Sequence, residues 1–66
     1  MDHEFQQKIA VIESAIRDAG YDPYAQLTGY IRTHDDRYIT RTGNARTLIR
    51  ELDWTQLRYY VKHMQP

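Results

Sequence analysis

The sequence has no cysteine, which excludes disulfide bridges and thiolate metal sites. It is also short, at 66 residues, and a chain of this length buries only about 60% of the surface that its unfolded form exposes. Small domains of this kind commonly gain stability from a disulfide, a metal or a partner subunit. We therefore expect a single domain over residues 1–66 that associates as a homodimer.

An excess of charge of one sign and a long apolar run are also missing. Nine Lys and Arg residues balance nine Asp and Glu residues, which argues against a general polyanion-binding protein. The balance is uneven, because residues 23–66 hold seven basic and four acidic residues, a difference of +3. No apolar run approaches the ~18–20 residues that span a bilayer, and no signal peptide is recognisable. We expect a soluble cytoplasmic protein without a membrane span.

Apolar residues at steps of three and four predict four short helices, and hence an all-α, compact single domain. The predicted helices are Phe5–Ala19 (apolar face Phe5, Ile9, Ile12, Ile16), Pro23–Arg32 (Tyr24, Leu27, Ile31), a third from a cap at Thr42 or Asn44 to Leu52 (Ala45, Leu48, Ile49, Leu52), and Trp54–Met64 (Trp54, Leu57, Val61, Met64). Gly20 is predicted to end the first helix in the left-handed conformation, and Asp22 and Pro23 to begin the second. Asp53 begins an Asp-x-x-Gln pattern that caps the fourth.

The second helix and the connection after it contain two further features. Gly29 lies inside the helix, where glycine costs up to ~1 kcal/mol relative to alanine, so we expect a close helix contact there. Residues 33–36 are predicted to form a loop. Residues 37–42 are predicted to form an irregular connection that places Tyr38 and Ile39 in the core.

Candidates for catalysis or metal binding are few. His34, Asp35 and Asp36 are the one cluster that offers imidazole and carboxylate ligands together. Adjacent residues seldom all face one ion, so a solvated loop is the preferred interpretation. No phosphate-binding glycine loop, carboxylate pair or activated serine is recognisable. We predict no catalysis and no cofactor, and a hydrolytic or metal enzyme at His34–Asp36 is the third alternative.

Arginines define the candidate binding site. Arg46 and Arg50 lie four residues apart on one predicted helix face, and Arg41 precedes the turn that contains Asn44. A guanidinium pairs bidentately with carboxylates and phosphates. We therefore predict that Arg41, Asn44, Arg46 and Arg50 bind an anion or a partner peptide. The ordinary alternative for each arginine is an ion pair with Asp or Glu, within the chain or across a dimer.

Tyrosines are numerous, with six in the chain. Tyr30 and Tyr59 are predicted to lie on the flanks of their helical stripes and to contribute to a dimer or partner interface. The alternative is that the tyrosines complete a small core. Interleaved arginine and tyrosine also occur in nucleic-acid-binding proteins, but zero net charge and the lack of a continuous basic stripe disfavour that function.

The segment from Gly20 to Ile49 carries a frame of specific residues. The frame consists of Gly20, Tyr21, Asp22, Pro23, Gln26, Leu27, Gly29, Tyr30, Ile31, Tyr38, Ile39, Arg41, Asn44, Ala45, Arg46, Ile49 and Arg50. In this frame the sequence resembles the IreB family of small non-enzymatic regulators from Gram-positive bacteria. The resemblance implies a cytoplasmic regulator or adaptor that acts by protein–protein interaction in signalling by a membrane Ser/Thr kinase that responds to cell-wall stress. The main alternative is an anion, nucleotide or nucleic-acid binding module that uses an arginine-lined helix start.

Phosphorylation is a further implication of the resemblance. In the family the kinase phosphorylates threonines on a tail before the first helix, but this sequence has no Ser or Thr before Ser14. The family's phosphorylation site therefore cannot be assigned to any residue of this sequence. The predicted loop threonines are Thr33, Thr40 and Thr42, and the sequence selects none of them. A phosphate on Thr42 would lie beside Arg41 and Arg46.

Overall fold

Four α-helices lie within residues 2–64, the part of the chain that the computed structural model describes. They are α1 (His3–Asp18), α2 (Pro23–Thr33), α3 (Ala45–Glu51) and α4 (Trp54–Lys62). Two 3₁₀ turns, Asp36–Tyr38 and Thr42–Asn44, connect α2 to α3, and residues 2–64 contain no β-strand. The predicted all-α single domain is confirmed, with a Cα radius of gyration of 10.4 Å.

Aspartate side chains determine where three of these helices begin. The Asp2 carboxylate accepts a hydrogen bond from the Phe5 N–H at 2.7 Å, so α1 begins at His3 and not at Phe5 as predicted. Asp22 and Asp53 accept hydrogen bonds from the amides three residues ahead, at 3.2 and 2.9 Å. The predicted caps of α2 and α4 are confirmed.

Gly20 turns the chain between α1 and α2. Its φ is +88°, and its N–H donates to the Arg17 carbonyl at 2.9 Å. The Tyr21 N–H donates to the Ile16 carbonyl at 3.0 Å. This pair of bonds is the Schellman arrangement, which needs a left-handed residue and therefore favours glycine. The predicted end of the first helix is confirmed to within one residue.

The core consists of one stripe from each helix together with Ile39. Its members are Phe5, Ile9, Ile12, Ala15 and Ile16 from α1, Leu27 and Tyr30 from α2, Ala45 and Ile49 from α3, and Leu57 and Val61 from α4. The predicted burial of Ile39 is confirmed, but the same prediction for Tyr38 is wrong, because its side chain is 49% exposed. A Cβ on Gly29 would lie 2.6 Å from Tyr38 Cδ1. The close contact at Gly29 is therefore with the ring of Tyr38 and not with another helix.

The start of α3 differs from the prediction. Neither Thr42 nor Asn44 caps it with a side chain. Gly43 and Asn44 both have left-handed backbone, at φ +59° and +62°, and the Ala45 N–H donates to the Thr42 carbonyl. A backbone turn thus replaces the predicted side-chain cap. α3 and α4 end at Glu51 and Lys62, before the predicted ends at Leu52 and Met64.

Polar contacts connect α1 to the helices packed on it. The hydroxyl of Tyr60 in α4 donates a hydrogen bond to Glu13 Oε2 at 3.0 Å. The Tyr60 and Phe5 rings pack edge-on, with their centroids 5.9 Å apart. Burial, followed by this hydrogen bond, raises the pKa of Tyr60 to about 12. Lys8 pairs with Glu4 at 2.9 Å and with Glu51 of α3 at 3.2 Å. None of the helices between residues 2 and 64 is long and apolar enough to cross a bilayer.

Candidate functional site

Three arginines lie around one open groove of about 830 Å³. We call it the arginine groove. Its polar and aromatic lining is Tyr21, Gln26, Arg37, Tyr38, Thr40, Arg41, Thr42 and Arg46. Among residues 2–64, no Asp or Glu side chain lines it. The groove is therefore positively charged, with tyrosine rings along its wall.

Arg46 is built into the floor of the groove. Its Nε–H donates to the Ile39 carbonyl at 2.8 Å, and its Nη2 lies 3.5 Å from the Arg37 carbonyl. These bonds hold the 3₁₀ turn Asp36–Tyr38 and the residue after it against α3. A carbonyl carries no net charge, so the guanidinium keeps its full positive charge in the groove.

Arg37 and Arg41 differ in how their charge is compensated. Arg37 donates to both carboxylate oxygens of Asp35, from Nε at 3.0 and 3.1 Å and from Nη2 at 2.8 Å. These hydrogen bonds from Arg37 lower the pKa of Asp35. Arg41 is exposed and forms no ion pair with any residue between 2 and 64. Arg41 and Arg46 thus supply the two charges of the groove that form no ion pair with a residue between 2 and 64.

The structure separates the other two residues of the predicted site. Arg50 Nη1 donates to Asp36 Oδ2 at 3.3 Å, away from the arginine groove. Asn44 is exposed and does not line the groove. Arg41 and Arg46 are therefore brought together, whereas Asn44 and Arg50 are not. The contribution of Arg37 was missed, because its position depends on the 3₁₀ turn.

Threonines form one rim of the groove. The Thr40 N–H donates to Gln26 Oε1 at 2.9 Å, which ties the connection to α2. The Thr42 N–H donates to Thr40 Oγ1 at 3.3 Å, and the two hydroxyl oxygens lie 3.2 Å apart. This short network holds both hydroxyls at the groove beside Arg41.

The two predicted interface tyrosines have different environments. Tyr30 is only 5% exposed, and its ring lies edge-on to Trp54 at 5.6 Å and to His34 at 6.0 Å. Its predicted place on the flank of the α2 stripe is wrong, because α4 packs over it. Tyr59 is 58% exposed on α4, so of the two only Tyr59 is available at the surface.

The cluster His34–Asp36 does not converge on one point. The His34 ring stacks on Trp54, with centroids 3.8 Å apart, while Asp35 pairs with Arg37 and Asp36 with Arg50. Within residues 2–64, no three His, Asp or Glu side chains are placed to hold a metal ion. The geometry does not bring these three side chains together as ligands of one metal ion.

A comparison with known families agrees with the motif frame. The model of a family described as IreB regulatory phosphoprotein matches residues 1–62. The chain belongs to the IreB family. A relative from Ruminiclostridium cellulolyticum named as a UPF0297 protein is 34% identical over 56 residues, which cover 85% of this chain and 64% of the relative. The chain thus spans less than two thirds of the length of that relative. Membership of the IreB family supports a regulatory role.

Proposed function

We propose that the chain is a non-enzymatic, cytoplasmic regulator or adaptor that binds a protein partner through the arginine groove, in cell-envelope stress signalling linked to a Ser/Thr kinase. The observation that carries the proposal is the pair of arginines, Arg41 and Arg46, that form no ion pair in a groove that no carboxylate of residues 2–64 lines. The description of the IreB family as a regulatory phosphoprotein supports the regulatory part.

The chemistry of the groove favours an acidic peptide segment as the ligand. Guanidinium groups pair with carboxylates through two parallel hydrogen bonds. Tyr21 and Tyr38 are large exposed rings beside these charges, and tyrosine is enriched at protein interfaces because it offers apolar area with a polar end. A partner strand with Asp or Glu next to apolar residues would satisfy both features.

Fluorescence anisotropy with a fluorescein-labelled hexaglutamate peptide tests this proposal. Arg41→Glu should weaken binding about tenfold or more, because it replaces a charge-assisted pair with repulsion. Arg32→Glu is the matched control, since Arg32 is exposed on α2 outside the groove. An oligonucleotide that binds more tightly than the peptide, with a steep salt dependence, would instead indicate a nucleic-acid-binding protein. Equal peptide binding by all three proteins would refute the assigned groove.

We also propose that two copies associate through the face shared by α2 and α4. Tyr59 is exposed there beside a groove of about 540 Å³ that Tyr24, Ile31 and Val61 also line. Covering these apolar groups would add buried surface to a chain whose own core is small. The interface thus uses Tyr59, and not Tyr30, which packs inside one protomer.

Light scattering tests the dimer with two matched variants. Tyr59 and Tyr21 are equally exposed, at 58% each, but lie on different faces. Tyr59→Glu should give a monomer, because it places a charge in the apolar contact, whereas Tyr21→Glu should remain a dimer. A dimeric Tyr59→Glu protein would contradict this face.

A further inference from the structure

The hydroxyl side chains of the chain differ in how easily another enzyme can reach them. Five of the seven lie within α-helices, namely Ser14, Thr28, Thr33, Thr47 and Thr55. A helical segment must open locally before an enzyme can bind it in extended form. Thr40 and Thr42 are the two outside the α-helices, and Thr42 begins the short 3₁₀ turn Thr42–Asn44.

Thr42 is the more accessible of the two. Thr40 is half-buried, and its backbone N–H is held by Gln26 at 2.9 Å. Thr42 is exposed, and its hydroxyl contacts the hydroxyl of Thr40 at 3.2 Å. Gly43 and Asn44, which follow, are exposed and have left-handed backbone. Of the two threonines, Thr42 is therefore the more open to an enzyme that approaches from solvent.

The surroundings of Thr42 suit a phosphate. Thr42 lines the arginine groove together with Arg41 and Arg46, neither of which forms an ion pair with a carboxylate of residues 2–64. A phosphothreonine carries a charge of about −1.5 to −2 and three acceptor oxygens. One phosphate would thus supply the negative charge that the two guanidinium groups lack, and would occupy the position of a partner carboxylate.

We propose that Thr42 is a phosphorylation site and that its phosphate occupies the arginine groove, where it competes with the acidic segment of the partner. Thr42 Oγ1 attacks the γ-phosphorus of ATP held by a Ser/Thr kinase. The new O–P bond forms as the bond from the γ-phosphorus to the bridging oxygen of the ADP leaving group breaks, and the hydroxyl proton passes to a base of the kinase. The competition rests on the proposed function, whereas the modification does not.

Mass spectrometry tests the modification itself. The full chain is incubated with ATP and the catalytic domain of a Ser/Thr kinase from the cells that produce it. Phosphate is expected on Thr42, and it should disappear in Thr42→Val but persist in Thr47→Val, a matched change at an exposed threonine of α3. Absence of phosphate from Thr42, whether or not other residues carry it, overturns the proposal.

Phosphorus NMR tests where the phosphate lies. Nearby arginines favour the doubly charged form of the phosphate. The second pKa of the phosphate on Thr42 should therefore lie at least about half a unit below its ordinary value near 6. Arg41→Gln should move the midpoint back towards that value, whereas Arg32→Gln should not. An unshifted midpoint in the phosphorylated chain overturns the placement in the groove.

Binding of the hexaglutamate peptide tests the competition. The phosphorylated chain should bind it about tenfold more weakly than the unmodified chain. If the unmodified chain does not bind the peptide, the proposed function fails, while mass spectrometry and NMR still decide on Thr42. Equal affinity of the two forms overturns the competition.

Discussion

Replacing Gly29 with alanine tests how the 3₁₀ turn Asp36–Tyr38 is held against α2. A Cβ at this position would lie 2.6 Å from Tyr38 Cδ1, 3.1 Å from Cγ and 3.3 Å from Cε1. Carbon atoms pack at about 3.5–4.0 Å, so the ring would have to move by about 1 Å. Because Cγ is included, rotation about the ring axis cannot relieve the clash, and either the rotamer or the turn must change.

Two opposing contributions determine the sign of the effect. Alanine favours a helix interior over glycine by about 1 kcal/mol, while overpacking costs about 1–3 kcal/mol. Gly29→Ala should therefore lower the free energy of unfolding of the wild type by up to about 2 kcal/mol. In a Tyr38→Ala background the clash is absent, and Gly29→Ala should raise the free energy of unfolding by about 0.5–1 kcal/mol.

Urea unfolding of the four proteins, followed by circular dichroism, measures this double-mutant cycle. Protein concentration must be held constant, because self-association would make stability concentration-dependent. We expect a coupling energy of about 1–3 kcal/mol between Gly29 and Tyr38. If Gly29→Ala stabilises the wild type and Tyr38→Ala equally, the contact between Gly29 and Tyr38 is refuted. The same result would refute the role of this contact in positioning the turn Asp36–Tyr38 beside the arginine groove.

Three further predictions concern contacts outside this cycle. Arg46→Gln removes the hydrogen bond to the Ile39 carbonyl and should lower the free energy of unfolding by about 1–3 kcal/mol. Arg50→Gln breaks the exposed ion pair with Asp36 and should change the free energy of unfolding by less than about 1 kcal/mol. Equal losses for the two variants in urea titrations would contradict this difference. Asp53→Ala removes the cap of α4 and should lower the free energy of unfolding by about 1 kcal/mol in the same urea titration. An unchanged free energy of unfolding would contradict this prediction. The pKa of Tyr60 is about 12 in the fold against an ordinary 10, so its stabilising contribution is present below pH 10 and is lost as the pH rises through 12. Between pH 10 and 12 the melting temperature of the wild type should therefore fall more steeply than the melting temperature of Tyr60→Phe. Parallel plots of melting temperature against pH for the two proteins would contradict this prediction.

Local signals in the sequence were sufficient to predict the helices. Gly20 marks a helix end by a left-handed conformation that few other residues adopt. Asp22 and Asp53 mark helix starts because their carboxylates accept hydrogen bonds from the amides three residues ahead. Apolar spacing identified the buried stripe of α1, whose members all lie in the core. These features depend on neighbours in the sequence, which explains why they could be predicted.

The tertiary environment of single residues could not be predicted in this way. Tyr30 and Tyr38 exchange their predicted places, because burial of Tyr30 depends on how Trp54 approaches it and exposure of Tyr38 depends on its contact with Gly29. Of the four predicted site residues, only Arg41 and Arg46 share the groove. The third arginine enters it through a 3₁₀ turn that no local pattern indicates.

Quantitative affinity capture from native cells tests the central claim, that the arginine groove recognises a protein partner. The wild type, Arg41→Glu and Arg32→Glu are used as baits at equal density. We predict that the wild type and Arg32→Glu retain the same partner, and that Arg41→Glu retains about tenfold less of it, because the substitution replaces a charge-assisted contact with repulsion. Equal retention by all three baits would contradict the claim.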